Sequence, residues 1–346
     1  MILGSGIALG VYVPALSVKK QLERLGHQAD FQCLEELYDG KQAVMEETKR
    51  SFHKDFKLAK LTYRLPVRSR TAIDPAKKEA LLTRLTNENY DGIITFSGFW
   101  AELLQELIEA EPSYKDHLYA VHMDAGSSLS WKGSDRSFLQ DIWLYRLEEH
   151  RVICSLEPVR ASLERRRRIL VHGGGWGIGE YEDKIRQLNA LGYGLDIIVY
   201  YPEEGKDADD ANEYYLLDPD WKPLNGNGRF PPLLHYENGK WNAFAVNNEE
   251  INPVRVLMER DMAILSKPGG GTLSDSLVTG TPLLFAEALA SYETDNQILW
   301  TELGLGMKFE DFVQSSKQDT ALNEMRVRLE ETGKDLPVIT DMLEGK

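Results

Sequence analysis

Three consecutive glycines, Gly269 to Gly271, are the residues of this chain whose type and spacing point most directly to chemistry. They follow an apolar run, Met262 to Leu265, that is typical of a strand buried on both faces. Leu273 and Leu277 then indicate a helix that ends near Gly280. A glycine turn of this kind leaves backbone N–H groups unobstructed at the positive end of a helix dipole. The stretch therefore predicts a site for a phosphate or pyrophosphate.

The residues around this turn narrow the predicted ligand to a nucleotide. Lys267 precedes the glycines and no Gly-Lys-Ser/Thr sequence follows them, so the spacing differs from that of the ATP-type P-loop. Asp275 lies one turn into the helix, where its carboxylate can accept hydrogen bonds from a ribose. Together these residues predict that a nucleoside diphosphate binds at this turn.

A family resemblance rests on residues 266 to 285, which read SKPGGGTLSDSLVTGTPLLF. This segment resembles the donor-site motif, roughly S/T-K-P-G-G-x-T-x-S-E-A-x-x-x-G-x-P, of GT-B glycosyltransferases of the monogalactosyldiacylglycerol synthase and peptidoglycan N-acetylglucosaminyltransferase group. Residues 293 to 306, ETDNQILWTELGLG, are similar to the acid-Gln-x-x-Asn segment of that group. The resemblance implies an α/β protein of the GT-B fold, with two Rossmann-like parallel-sheet domains that face each other across a cleft. It also implies a C-terminal helix that crosses back to the first domain.

A second glycine turn, HGGGWGIG at residues 172 to 179, follows the first strand predicted for the second domain. It would add backbone N–H groups near the diphosphate, although a tight structural turn is the alternative for any one of its glycines. In the family the helix acid binds the ribose, and here Asp275 replaces the usual Glu. The resemblance assigns the diphosphate and the ribose to Gly269, Gly270, Gly271, Thr272 and Asp275. We further predict donor contacts from Gly174, Gly175, Trp176, Lys267, Glu287, Asp295 and Gln297.

The general base is harder to place. In the peptidoglycan enzymes a His follows the first glycine turn, but an alignment on Pro14 puts Val11 at that position. The remaining candidates are Asp124 and His122, which follow a predicted buried strand where the diacylglycerol enzymes carry Thr-Asp. A carboxylate there can take the proton of an acceptor hydroxyl. The alternatives are a structural, hydrogen-bonded role for Asp124 and a packing or orienting role for His122.

Three other patterns leave alternatives open. The glycines at positions 4, 6 and 10 approach the Gly-x-Gly-x-x-Gly fingerprint of nicotinamide enzymes, but the third falls one residue late. The segment from Glu203 to Lys240 is predicted to be irregular, because it is rich in Asp, Asn, Gly and Pro. Within it, Asp207 to Asp210 contain an Asp-x-Asp pattern, for which an acidic solvated loop is the favoured interpretation over a metal site. The basic stretch between residues 40 and 80 is interpreted as a solvated face, with an acceptor flap as the alternative. We therefore predict no metal and no cofactor besides the donor.

Composition excludes several classes of function. The 346 residues carry a formal net charge of −15, which disfavours binding to nucleic acid and to anionic lipid. Cys33 and Cys154 are too few for a disulfide framework and favour a reducing cytoplasm. No apolar run approaches the roughly 18 to 20 residues that span a bilayer.

The chain is long enough for two domains. A run of four arginines, Arg165 to Arg168, precedes a new strand and is interpreted as a solvated linker between them. We predict an acceptor-side domain over residues 1 to 164, a nucleotide-sugar domain over 165 to 320, and C-terminal helices over 321 to 346 that pack back toward the first domain.

The predicted activity is metal-independent transfer of a sugar from a UDP-linked donor to a hydroxyl or amine of a small or membrane-peripheral acceptor. The alternatives are an epimerase or hydrolase of the same fold, a non-catalytic sugar-nucleotide-binding subunit, and a nicotinamide oxidoreductase. The sequence gives no indication of oligomeric state.

Overall fold

The structure, a computed structural model, describes residues 1–6, 9–38, 42–63, 73–133, 135–160, 164–205, 211–224 and 228–344. The Asp-x-Asp pattern at Asp207 to Asp210 lies outside the described residues, as do Arg64, Arg68 and Arg70 of the basic stretch. None of the described helices is both long and apolar enough to cross a membrane.

The first domain is a five-stranded parallel sheet with helices, and its strand order is β2-β1-β3-β4-β5. Each strand is short, and all except the edge strand β5 are mostly buried, which is typical of parallel sheets covered on both faces. Its elements are β1 (Ile2–Gly4), α1 (Leu9–Arg24), β2 (Phe31–Cys33), α2 (Gln42–Lys54), α3 (Phe56–Tyr63), α4 (Pro75–Glu88), β3 (Ile93–Thr95), α5 (Ala101–Ala110), β4 (Leu118–His122) and β5 (Gln140–Trp143), followed by a small hairpin of β6 (Tyr145–Arg146) and β7 (Arg151–Val152).

The second domain is built on an eight-stranded sheet of order β12-β11-β10-β9-β8-β13-β14-β15. All neighbouring pairs are parallel except those made by the hairpin of β11 and β12 at one edge. Its elements are β8 (Arg166–His172), α6 (Glu182–Ala190), β9 (Gly194–Val199), β10 (Asn212–Leu217), β11 (Leu233–Glu237), β12 (Lys240–Ala243), α7 (Pro253–Arg260), β13 (Asp261–Ser266), α8 (Gly270–Thr279), β14 (Leu283–Phe285), α9 (Ser291–Glu302), β15 (Gly306–Lys308) and α10 (Phe309–Gln314).

The strand, turn and helix predicted around the three glycines are present as β13 and α8. Ala263 and Leu265 of β13 point into one hydrophobic core and Ile264 into the other, so this strand is buried on both faces. Helix α8 ends at Gly280, whose positive φ of 61° is the left-handed conformation that glycine adopts readily at a helix C-terminus.

The C-terminal helices connect the two domains. Helix α11 (Gln318–Gly333) packs against α8 and β13 of the second domain, whereas α12 (Ile339–Leu343) lies against α1 of the first. Ser155 holds the segment before α12 in place, because its N–H donates to Pro337 O at 3.0 Å and its carbonyl accepts from Ile339 N–H at 2.9 Å.

Two predictions about local structure were wrong. The segment between Glu203 and Lys240, predicted to be irregular, contains β10 and β11, because the aromatic and apolar side chains of β10 are buried against β9. The four arginines are not a solvated linker, since three of them lie in β8. Arg166 bonds to the fully buried carboxylates of Asp196 and Asp261, at 2.7 Å and 2.9 Å.

Candidate functional site

A cavity of about 660 Å³ lies between the two domains. The turns after β1, β2, β3 and β4 of the first domain form one wall. The turns after β8 and β13 and residues 289 to 293 contribute to the other. Both walls therefore use the carboxyl ends of parallel strands, where open α/β sheets bind ligands.

Three helix starts converge in this cavity. The N-terminus of α8 faces that of α1 so closely that a Cβ on Gly271 would lie 3.3 Å from Cα of Gly10. A Cβ on Gly175, in the single helical turn Gly174–Trp176, would lie 2.6 Å from Cβ of Leu9. The three helix N-termini therefore lie close together at the cavity, and the N–H groups of a helix N-terminus favour an anion.

The structure brings most of the predicted donor residues to the cavity and leaves three away from it. Glu287 is exposed and forms an ion pair with Lys60 of α3. Asp295 faces the first domain, because a Cβ on Gly126 would lie 2.5 Å from Oδ2 of Asp295. Gln297 is partly buried at another position on α9. The predicted residues that line the cavity are Gly174, Gly175, Trp176, Lys267, Gly269, Gly270, Gly271, Thr272 and Asp275.

Helix geometry explains why Asp295 and Gln297 do not face the cavity. At about 100° per residue, side chains three or four positions apart share a helix face. The buried face of α9 carries Glu293, Asn296, Leu299 and Trp300, and neighbouring positions turn away from it. This spacing could have identified Glu293 and Asn296 from the sequence.

Asn296 links the two domains and was not identified by sequence reasoning. Its side chain is fully buried, and its Oδ1 accepts from Ala125 N–H at 2.7 Å. Its Nδ2 donates to Oδ1 of Asp124 and to the carbonyl of Pro268, each at 2.8 Å. One amide thus connects the end of β4 to the turn before α8.

Asp124 lies in the cavity lining at this domain contact. Burial raises the pKa of its carboxyl to about 7, against the lowering effect of the hydrogen bonds from Asn296 and from Gly270 N–H. The carboxylate therefore faces the start of α8, and it exchanges its proton near neutral pH.

His122 is placed differently from Asp124, because it does not reach the cavity lining. It is 1% exposed, stacks on Trp143 with ring centroids 4.0 Å apart, and shares a 2.8 Å hydrogen bond between Nε2 and Oδ1 of Asp141. Burial lowers the pKa of this imidazole. His122 therefore has the geometry of a packing residue, which was the alternative to a role as general base.

Two charged side chains beside the glycine turns are held by ion pairs. Lys267 Nζ lies 3.0 Å from Oε1 of Glu293, whose Oε2 accepts from Leu289 N–H at 2.6 Å. Asp275 Oδ1 accepts from Nε of Arg255 at 2.6 Å, and Arg255 also bonds to Glu157. Burial raises the pKa of Asp275, and Arg255 opposes that rise.

Ser266 is a further cavity residue that was not predicted. It ends β13, is fully buried and lines the cavity, yet its hydroxyl has no hydrogen-bond partner within the described part of the chain. Buried hydroxyls are normally hydrogen-bonded, so the hydroxyl of Ser266 is an exception among the described residues.

The hairpin of α2 and α3 crosses from the first domain to cover this side of the cleft. Phe52, Phe56 and Ala59 pack with Ile178 and Leu289 of the second domain. His53 Nδ1 lies 2.8 Å from Gly177 O and Arg50 lies 3.0 Å from Glu203. Lys54 and Lys57 are exposed, as predicted for a solvated face, whereas the apolar face of these helices packs on the second domain, and Phe52 and Thr62 line the cavity.

Comparison with solved structures relates the whole chain to glycosyltransferases. MurG of Acinetobacter baumannii superposes with a TM-score of 0.52 at 14% identity, covering 100% of this chain and 99% of its own. SsfS6, a glycosyltransferase of Streptomyces sp. SF2575, gives 0.52 at 10% identity, with 99% and 97% covered. Arabidopsis thaliana UGT89C1, complexed with UDP-L-rhamnose, gives 0.52 at 14% identity, with 99% and 96% covered.

No protein-family model matches the sequence, and no curated protein matches it. The structural similarity confirms the predicted fold class, because it extends over both domains and the C-terminal helices. The chain is an α/β protein with the GT-B fold, the fold of the glycosyltransferase group that its donor-site motif resembles.

Proposed function

We propose that this protein is a glycosyltransferase that moves a sugar from a nucleoside diphosphate donor, UDP-linked, to a hydroxyl or amine of an acceptor. The observation that carries the proposal is the convergence of three helix starts, at Gly10, Gly175 and Gly271, in a cleft between two GT-B domains. Of the structural neighbours, UGT89C1 is complexed with such a donor, UDP-L-rhamnose.

The arrangement suits the charge that develops during transfer. When the bond between the sugar and the diphosphate breaks, negative charge grows on the leaving diphosphate. Backbone N–H groups that already point at that charge stabilise it without reorganisation. Closure of α2 and α3 over the cleft would keep water away from the reacting sugar.

The ribose contact of Asp275 can be tested by nucleotide binding. Asp275→Ala is expected to weaken UDP binding by about 1 to 3 kcal/mol, the scale of a lost hydrogen bond to a charged group. Isothermal titration calorimetry measures this directly, and NAD in the same assay tests the oxidoreductase alternative.

Glu157→Gln is the matched control for this variant. It perturbs the other ion pair of Arg255, while leaving Asp275 in place. UDP affinity equal to wild type in folded Asp275→Ala, or an equal loss in both variants, would contradict a ribose contact.

Catalysis is expected to need no divalent metal. The positive ends of the three helix starts would meet the diphosphate charge that a metal otherwise neutralises. Turnover in excess EDTA should therefore equal turnover without it. Activity lost in EDTA and restored by manganese or magnesium would show the opposite, whereas UDP release without acceptor would identify a hydrolase.

A further inference from the structure

The first-domain wall of the cavity is apolar and rich in aromatic side chains. It is formed by the turns after β2, β3 and β4; in the sheet, β3 lies next to β4, and β1 lies between β2 and β3. Phe99 is 40% exposed and offers a free ring surface. Planar apolar molecules pack well on such rings. The apolar side chains of this wall are Leu34, Tyr38, Phe96, Phe99, Leu129 and Trp131.

One carboxylate, Glu35, is set into this wall. It follows β2, is only 6% exposed and still lines the cavity. Its Oε1 accepts from the hydroxyl of Ser5 at 2.5 Å, and its Oε2 accepts from Gly6 N–H at 2.6 Å. Ser5, at the end of β1, lines the cavity as well.

Glu35 and Asp124 both line the first-domain wall of the cavity, but they have different hydrogen-bond partners. Asp124 accepts its hydrogen bonds from Asn296 and Gly270, both in the second domain. The two described partners of Glu35 belong to the first domain, which is the acceptor side of the proposed reaction. A carboxylate at an apolar wall attracts groups that donate hydrogen bonds and repels anions.

We propose that Glu35, oriented by Ser5, accepts a hydrogen bond from a hydroxyl of the acceptor, and that the acceptor is a neutral molecule with a flat apolar body. This inference rests on the proposed glycosyltransferase function. The aromatic wall binds the body of the acceptor, and Glu35 selects its polar end. A site that is built to bind a hydroxyl rejects analogues that lack it, because its own polar group then loses a partner.

A purely structural role for Glu35 predicts a different outcome. The contact with Gly6 N–H also holds the turn between β1 and α1 in place. Loss of that structural role would weaken the binding of every ligand to a similar extent. Loss of an acceptor contact would instead change the preference between a hydroxyl and an anion.

The test uses two ligands with one ring system, 2-naphthol and 2-naphthoate, titrated into the full chain at pH 7 with saturating UDP. Wild type is expected to bind the naphthol at least about tenfold more tightly, a difference of about 1.4 kcal/mol. Glu35→Gln should reduce this preference to about threefold or less, because the amide neither repels the carboxylate nor accepts as strongly.

Glu36→Gln is the matched control, since Glu36 is adjacent, exposed and outside the cavity lining, and it should keep the wild-type preference. If Glu35→Gln does not fold, Ser5→Ala replaces it and should lower the preference by about threefold. Equal or tighter binding of 2-naphthoate to wild type would overturn the proposal. So would an unchanged preference in the folded variant.

UDP titrations on the same samples separate this proposal from the one on which it rests. If wild type does not bind UDP, the proposed function fails. If UDP binds normally but the hydroxyl preference is absent, the acceptor inference alone is wrong.

Discussion

Asp124→Asn is expected to lower sugar transfer by about 10²- to 10⁴-fold, the usual contribution of a general base. An alignment on Pro14 places Val11, a cavity-lining residue, where the family has its His, so we expect the base to be another side chain of the first domain unless the acceptor is already ionised. Asp124 lies at the end of β4 in the cleft, and burial raises its pKa to about 7, which suits proton transfer near neutral pH. The measurement is turnover at saturating donor and acceptor.

Donor binding gives the control for this variant. Asparagine has nearly the same shape as aspartate, and its amide oxygen can still accept from Asn296 and Gly270 N–H. UDP affinity should therefore change little while turnover falls. Near-normal turnover in Asp124→Asn would refute the assignment and leave a base supplied by the acceptor as the next hypothesis.

The pH dependence of the same pair of proteins follows from the direction of the pKa shift. The base form of Asp124 is the ionised one, so wild-type turnover should rise as pH increases through about 7. Asp124→Asn should show no such rise.

Ionisation of Asp124 as pH rises should lower the stability of the folded protein, whereas it should raise turnover. The folded state raises the pKa of Asp124 from 3.8 to about 7, so it binds a proton that the unfolded chain has lost across this range. The contribution of Asp124 to the stability of the wild type is therefore lost as pH rises from about 4 to 7. The melting temperature of Asp124→Asn, relative to wild type, should be higher at pH 8 than at pH 4.

The sequence was most informative where local pattern and tertiary structure agree. The run from Ala263 to Leu265 before the three glycines is apolar and buried, and the turn and helix after it carry their own signals in glycine and leucine spacing. These features were sufficient to predict β13 and α8, and the family motif extended that prediction to the GT-B fold.

The sequence was least informative where a residue's environment comes from a distant part of the chain. Arg166 was interpreted as part of a solvated linker, yet its partners Asp196 and Asp261 lie 30 and 95 positions away. Glu35 gave no signal because its hydrogen bonds reach back to the turn after β1. Asn296 was missed for another reason, since the motif directed attention to its neighbours instead of to the buried face of α9.

Gly270→Ala is expected to reduce turnover by about 10²-fold or more, because the added methyl group would disturb the packing between the two domains. A Cβ on Gly270 would overlap the backbone oxygen of Met123 and lie 2.8 Å from Oδ1 of Asp124. Both belong to the end of β4, and Gly270 O also accepts from the hydroxyl of Tyr145 at 2.5 Å. A backbone atom cannot rotate away as a side chain does, so the added methyl must push the domains apart. A displacement of about 1 Å between reacting groups is enough to cost about 10²-fold in rate.

Gly269→Ala provides the matched control for this contact. The nearest atom to its added Cβ, outside its chain neighbours, would be Oε1 of Glu293 at 3.7 Å, an ordinary van der Waals distance, so the domains can still close. Small-angle scattering should show a larger radius of gyration for Gly270→Ala and an unchanged one for Gly269→Ala. If Gly270→Ala instead keeps both the compactness and the turnover of wild type, the contact between β4 and α8 does not set the working geometry of the cleft.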